Sequence, residues 1–222
     1  MVKEKIMSKS IFSNKDKERI TEAVAALEKE TSGELVLYYA KNSDTYLDAA
    51  WKLSGMIGIL FATITIILSY AWLLPNYYTP IALACTILLA MLVTYSIARI
   101  FPLLRLASTN TKVVEHRVLT KARDMFLQEQ VFNTVDRTGI LVYISALERK
   151  VVVLGDSGIN KKITQSDWEH VVKLVVNGIK TKNMTTGIIE AVDACKKLLL
   201  ASGFIITSSD SNELPDAIRV ED

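Results

Sequence analysis

The densest group of possible metal ligands in this 222-residue chain is Gly155-Asp156-Ser157-Gly158-Ile159-Asn160. It offers a carboxylate, an amide oxygen and glycine freedom in one short stretch, a donor set suited to calcium or another divalent cation. Calcium takes six or more oxygens, so Asp156 and Asn160 would need further ligands from elsewhere in the fold. An ordinary polar loop has the same composition, and both readings stand. Two acid–arginine pairs, Asp136-Arg137 and Glu148-Arg149, are the other local concentrations of charge that could hold an anionic group. Each also has a plainer reading: Asp136-Arg137 as the turn into a strand, Glu148-Arg149 as the solvated turn of a hairpin. His116 and His170 stand on separate helical segments without an HxxxH or HExxH context, and no GxSxG, GxxxxGK[ST] or zinc-type Cys/His spacing occurs. A standard hydrolase, nucleotidase or zinc site is therefore not expected, and no residue is assigned as catalytic.

The elements that must position these residues follow from periodicity. Ser13 or Asn14 caps an expected helix to about Glu30 with an apolar stripe at Ile20, Ala23, Val24 and Leu27. Thr31-Ser32-Gly33 ends it, and Glu34 to Ala40 reads as a strand buried on both faces, as in a parallel sheet. Val113 to Phe132 carries apolar residues at helical spacing. Gly139 to Ala146 is a second buried strand, and Lys150 to Leu154 pairs back on it as a hairpin. Gly155 to Gln165 reads as a polar loop. Ser166-x-x-Glu169 reads as a capping box opening a helix through Ile179. A last helix runs from about Thr185 to Ser202. Strand, helical crossover and strand imply parallel pairing. Ligands of open α/β sheets bind beyond the carboxyl ends of such strands, so that edge is where a site is expected.

Between the first strand and the long helix lies a different kind of sequence. Residues 53–98 contain no Asp, Glu, Lys or Arg, so the 26 basic and 24 acidic residues all fall outside this block. The mean hydropathy of the chain is +0.26. About 20 apolar residues cross a bilayer, and segments 53–74 and 81–100 each qualify. The connecting Pro75-Asn76-Tyr77-Tyr78-Thr79-Pro80 reads as an interfacial turn, with Trp51, Trp72, Tyr77 and Tyr78 at headgroup depth. Lys41 and Lys52 precede this hairpin, Arg99, Arg105, Lys112 and Arg117 follow it, and the turn has no charge. The expectation is a two-span protein of the cytoplasmic (inner) membrane with both termini cytoplasmic. No ionisable group lies in the spans, which argues against a pump or proton channel. Ser54-Gly55-x-x-Gly58 could pack the hairpin against itself or support a homo-oligomer.

The net charge of +2 and scattered basic residues give no case for nucleic acid. Cys85 and Cys195 read as two free thiols. The first twenty residues lack a signal-peptide pattern. Residues 207–222 are expected to be a disordered acidic tail.

The order of short motifs resembles the TPM domain family. Thr31-Ser32-Gly33-Glu34 before an apolar strand carries the likeness. So do Thr138-Gly139-Ile140-Leu141-Val142-Tyr143-Ile144-Ser145, Glu148-Arg149-Lys150 and the 155–160 segment, with His116-Arg117, Ala122 and Phe126 in the feeding helix. The likeness covers about residues 13–203. It implies a small α/β class domain, a three-layer α/β/α sandwich, here with a two-helix transmembrane hairpin inserted. Residues 1–50 and 101–206 would then form one discontinuous cytoplasmic domain around the hairpin at 53–100. The wider family includes a thylakoid lumen protein reported as an acid phosphatase, an accessory subunit of nematode acetylcholine receptors, and members that look calcium-binding. Many members carry a signal peptide and a C-terminal anchor, and this chain departs from that layout. The leading expectation is a membrane-anchored domain that works on the bilayer through a membrane protein partner, in assembly, stabilisation or turnover of a complex. The alternative is a weak metal-dependent hydrolase of the acid-phosphatase kind, for which the charged groups named above are the candidates.

Overall fold

The computed structural model describes residues 11–71, 79–206 and 212–221. In chain order its elements are α1 (Asn14–Glu28), β1 (Glu34–Ala40), α2 (Leu47–Tyr70), α3 (Pro80–Ile100), α4 (Pro102–Ala107), α5 (Thr111–Gln128), β2 (Gly139–Ser145), β3 (Lys150–Gly155), α6 (Ser157–Asn160), α7 (Glu169–Lys180), α8 (Met184–Ala201) and β4 (Arg219–Glu221). They form two compact units, residues 1–43 with 118–222 and residues 44–117. The expected discontinuous domain had its boundaries at 50 and 101. The structure assigns residues 44–50 and 101–117 to the same unit as the apolar helices.

The first unit is a mixed α/β sandwich on a four-stranded sheet of order β3-β2-β1-β4. The parallel register pairs Glu34 with Gly139 and Ala40 with Ser145, and β3 returns antiparallel to β2. Every residue of β1 and β2 is buried, because both strands are covered on both faces. Alternate residues point to opposite faces. Leu35, Leu37, Tyr39, Ile140, Val142 and Ile144 join a core with Ile20, Val24 and Leu27 of α1, Val171 and Val175 of α7, and Ile188, Val192 and Leu199 of α8. Val36, Tyr38, Leu141 and Tyr143 are buried on the other face, as are Val118, Ala122 and Met125 of α5. Tyr38 and Tyr143 stack there at 5.9 Å between ring centroids. The α/β/α sandwich expected from the sequence is present.

Three local expectations are corrected. Residues 219–221 are not a disordered tail: they form β4, parallel to β1. Glu221 holds it there by accepting a hydrogen bond from Tyr38 at 3.1 Å and an ion pair from Lys121 at 3.0 Å. Ser166 does not cap α7, whose N-cap is Trp168 with no side-chain bond. The acceptor in that turn is Asp167, which takes both the Thr164 N–H and its hydroxyl at 2.7 Å. The 155–165 segment is not all loop, because Asp156 caps the four-residue α6. The capping box of α1 is present, with Asp16 and Ser13 bonding reciprocally.

The second unit is built on α2 and α3, which pack side by side as an apolar helical hairpin. They are 24 and 21 residues long, long enough to cross a membrane, and only 17% and 6% of their most apolar windows are buried. Ser54 donates to the Met91 carbonyl at 3.0 Å, and a Cβ on Gly58 would come 2.7 Å from Met91 Cγ. Trp51 and Tyr95 meet at 4.5 Å between centroids. Trp72, Tyr77 and Tyr78 lie outside the described residues. Arg117 ties the start of α2 to α5 through Asp44 at 3.1 Å and Asp48 at 2.9 Å, with its guanidinium 5.0 Å from the centre of the Tyr46 ring.

Candidate functional site

The parallel strands have two ends, and the structure treats them differently. At the carboxyl ends, where a ligand was expected, the sheet is closed by a polar network. The Glu148 carboxylate accepts the Ser145 hydroxyl through Oε2 and the Ser43 N–H through Oε1 at 3.0 Å. Ser43 Oγ lies 2.7 Å from Ser145 Oγ and 3.0 Å from the Tyr143 hydroxyl. Ser145 is fully buried and Glu148 nearly so. Glu148 is therefore not part of a solvated turn; Arg149 beside it is exposed, with a φ of 52°. Burial pushes the Tyr143 phenol up to about 12. The hydroxyls of Ser43, Tyr143 and Ser145 all have partners, so the network ties this end of the sheet together.

The amino ends are open. A cavity of about 420 Å³ is lined by Glu28 at the end of α1, Lys29, Thr31 and Ser32 after it, Glu34 at the start of β1, Asp136 and Thr138 before β2, and Asn212, Glu213 and Asp216 of the returning tail. Val135 and Ile206 supply apolar rim. Five carboxyl groups thus share one cleft. Glu28 Oε1 accepts the Leu35 N–H at 3.0 Å, and Glu34 accepts the Leu214 N–H at 3.2 Å. Glu213 accepts the Val135 N–H at 3.1 Å, which draws the tail onto the cleft. Asn212 bridges Glu28 at 3.3 Å and Asp216 at 2.6 Å. Burial, reinforced by the neighbouring charges of Glu34 and Asp216, pushes the Glu28 carboxyl up to about 9. Burial likewise raises Glu34.

The residues singled out in the sequence fall around this cleft unevenly. Asp136 lines it. Arg137, at a φ of 56°, donates to the Phe132 carbonyl at 3.0 Å and pairs with Asp156 Oδ2 at 3.6 Å. Asp156 Oδ1 accepts the Ser157 N–H at 2.6 Å, and the Asn160 amide donates to the Gly155 carbonyl at 2.5 Å. The structure thus brings Asp136, Arg137 and Asp156 together and leaves Glu148 and Arg149 at the other end of the sheet. Gly158 is required there by close approach: a Cβ would run into the Asp136 carbonyl oxygen and come 2.6 Å from that of Arg137. Among the described residues, no three His, Cys, Asp or Glu side chains converge on a common metal position.

Sequence reasoning missed Glu28, Glu34, Asn212, Glu213 and Asp216. Glu28 and Glu34 flank the Thr31-Ser32-Gly33 stop, and two acids at the junction of a buried helix end and a buried strand start were a usable signal. The tail acids gave none, because their role depends on β4.

The fold and cleft define an α/β/α sandwich domain interrupted by an apolar helical hairpin. Residues 107–198 match the model of the TPM domain family. The NMR structure of BA42 protein from the psychrophilic bacterium Bizionia argentinensis sp. nov. is similar, with a TM-score of 0.59 over 96% of this chain and 97% of that one. Its sequence is 17% identical, so the likeness speaks for the fold. No curated protein matches the sequence.

Proposed function

We propose that this protein is a membrane-anchored TPM domain that acts through a membrane protein partner, in the assembly, stabilisation or turnover of a membrane complex. The observation that carries this reading is the surface of α2 and α3. Residues such as Ile59, Ile66, Ile81 and Leu92 are each more than 60% exposed. A soluble domain would bury helices of this length, whereas lipid solvates them at no hydrophobic cost. At ~1.5 Å per residue the longer helix spans ~36 Å, against a hydrocarbon core of ~30 Å. The flanking Lys and Arg residues favour the cytoplasmic side of the inner membrane for both termini.

The test is extraction of membranes from expressing cells at alkaline carbonate, followed by crosslinking in intact membranes and purification in gentle detergent. The reading expects the chain in the pellet and a membrane protein crosslinked to it in stoichiometric amount. Release into the supernatant would sink the anchor, and a chain crosslinked to nothing would sink the partner role.

A second reading is favoured by the cleft: a metal-dependent phosphomonoester hydrolase. Five carboxyl groups repel a phosphate, so such a site works only with a divalent cation between acid and substrate. No three acidic side chains converge on one point among the described residues, so Glu34, Glu213, Asp136 and Asp216 would have to draw together around the ion, while the side chains of Asp156 and Asn160 serve α6. Hydrolysis of a phosphomonoester by the full-length protein with calcium, magnesium or manganese, lost in Glu34→Gln, would establish it. No turnover with any of the three would dismiss it.

A further inference from the structure

We infer that the segment joining α3 to α5 is an anionic-phospholipid binding surface. The inference rests on the membrane-anchored reading and names the lipid class that the anchor engages. Its first support is geometry. Phe101 is extended and Pro102 starts α4, so the apolar helix α3 stops and a separate six-residue helix begins. The junction and the helix leave apolar residues in the open: Ile100 at the end of α3 is 70% exposed, Phe101 between the helices 55%, and Leu103 and Leu104 of α4 63% and 43%. None of the residues of α4 is buried. An apolar helix of this kind, directly continuing a span, fits the boundary between acyl chains and headgroups.

The second support is charge. No Asp or Glu occurs between Asp48 and Glu115, while Lys52, Arg99, Arg105 and Lys112 do. Because α2 and α3 are paired in a hairpin, Lys52 at the start of one and Arg99 at the end of the other belong to the same end. Trp51 and Tyr95 meet at that end with tilted rings, and aromatic residues favour headgroup depth. The acids of this unit are already engaged in part: Asp48 pairs with Lys52 at 3.3 Å, and Arg117 takes Asp44 and Asp48. Arg105 donates to the Thr45 carbonyl at 2.5 Å. Arg99 and Lys112 remain exposed, with no ion pair among the described residues. Two exposed cations flanking an exposed apolar helix complement the phosphate layer of an anionic leaflet. An acidic protein would satisfy the cations but would have no use for the four apolar side chains in this arrangement.

The test uses the full-length protein, delipidated in mild detergent, with dioleoyl phosphatidylglycerol or dioleoyl phosphatidylcholine added back and retained lipid read by native mass spectrometry. Phosphatidylglycerol should be held more tightly, by about fivefold for each cation engaged. Arg99→Gln with Lys112→Gln should abolish the preference, and Arg99→Lys should keep it. Leu103→Ser with Leu104→Ser should weaken both lipids alike. Equal retention of the two lipids, or a preference that survives the double glutamine variant, overturns the inference, including the case where that variant instead loses a co-purifying acidic protein. Carbonate extraction run in parallel separates the two levels: protein in the supernatant defeats the anchor itself, while pelleted protein without lipid preference defeats only this inference.

Discussion

Glu28, the last residue of α1, accepts the backbone N–H of Leu35, the second residue of β1, at 3.0 Å. A carboxyl group thereby joins the end of a helix to the start of the central strand, seven residues on, from inside a cleft that it shares with four other acids.

That position makes stability depend on pH. Folded, Glu28 titrates at about 9, against 4.5 for an ordinary glutamate, because burial disfavours its charge. Between those values the folded chain keeps a proton that the unfolded chain releases. Stability is thus greatest below about 4.5 from this group and declines as pH rises through about 9, with Glu34 acting in the same direction. Glu28→Gln keeps an acceptor for Leu35 and removes the titration. It should stabilise by about 1–2 kcal/mol at pH 9 and do little at pH 4. Urea unfolding across pH, in detergent, measures the difference; parallel curves for the two proteins would contradict it.

Glu148 predicts the opposite kind of effect. It accepts both the Ser145 hydroxyl and the Ser43 N–H in a buried setting. Glu148→Ala leaves those donors without this acceptor and should cost about 2–3 kcal/mol. Thermal melting would show the loss, with Arg149→Ala, one residue away and exposed, changing little.

The 155–160 segment separates a structural role from a ligand role. Gly158→Ala drives a methyl group into the Asp136 and Arg137 carbonyls and should destabilise by about 2 kcal/mol or more. Asp156→Ala removes a cap and should cost about 1 kcal/mol. Calorimetric calcium titration of Asp156→Ala and Glu34→Gln would show which residue a bound ion touches. The cleft reading expects affinity lost only in the second.

In the hairpin, Gly58 faces Met91, whereas nothing lies within 4 Å of a Cβ built on Gly55. Gly58→Leu should therefore loosen the packing of α2 on α3, read as increased proteolysis or a lower melting temperature. Gly55→Leu should leave the monomer unchanged. If the chain self-associates through this face, Gly55→Leu is the variant that shifts mass in crosslinking.

Much of the architecture is local physics and was legible in the residues alone. Seven-residue runs such as Glu34–Ala40 and Gly139–Ser145 are apolar on both faces, which requires a covered parallel pair, and the structure pairs them in full register. The cap at Ser13, the stripe of α1 and the charge-free block from 53 to 98 are equally short-range, and the helices and strands expected from them formed within a few residues of their expected bounds, whereas α4, α6 and β4 were not expected. What only the tertiary structure decided depends on residues distant in sequence. The tail acids Glu213 and Asp216 look like solvating charges until β4 docks on β1 and closes the cleft against Glu28 and Glu34. Glu148 looks like a hairpin turn until Ser43, 105 residues earlier, arrives at its carboxylate. Periodicity reports which side of an element is buried, because that is set by neighbours three or four positions away. It carries no information about which distant polar group will share a cavity, because that is set by the packing of the sheet and the helices around it.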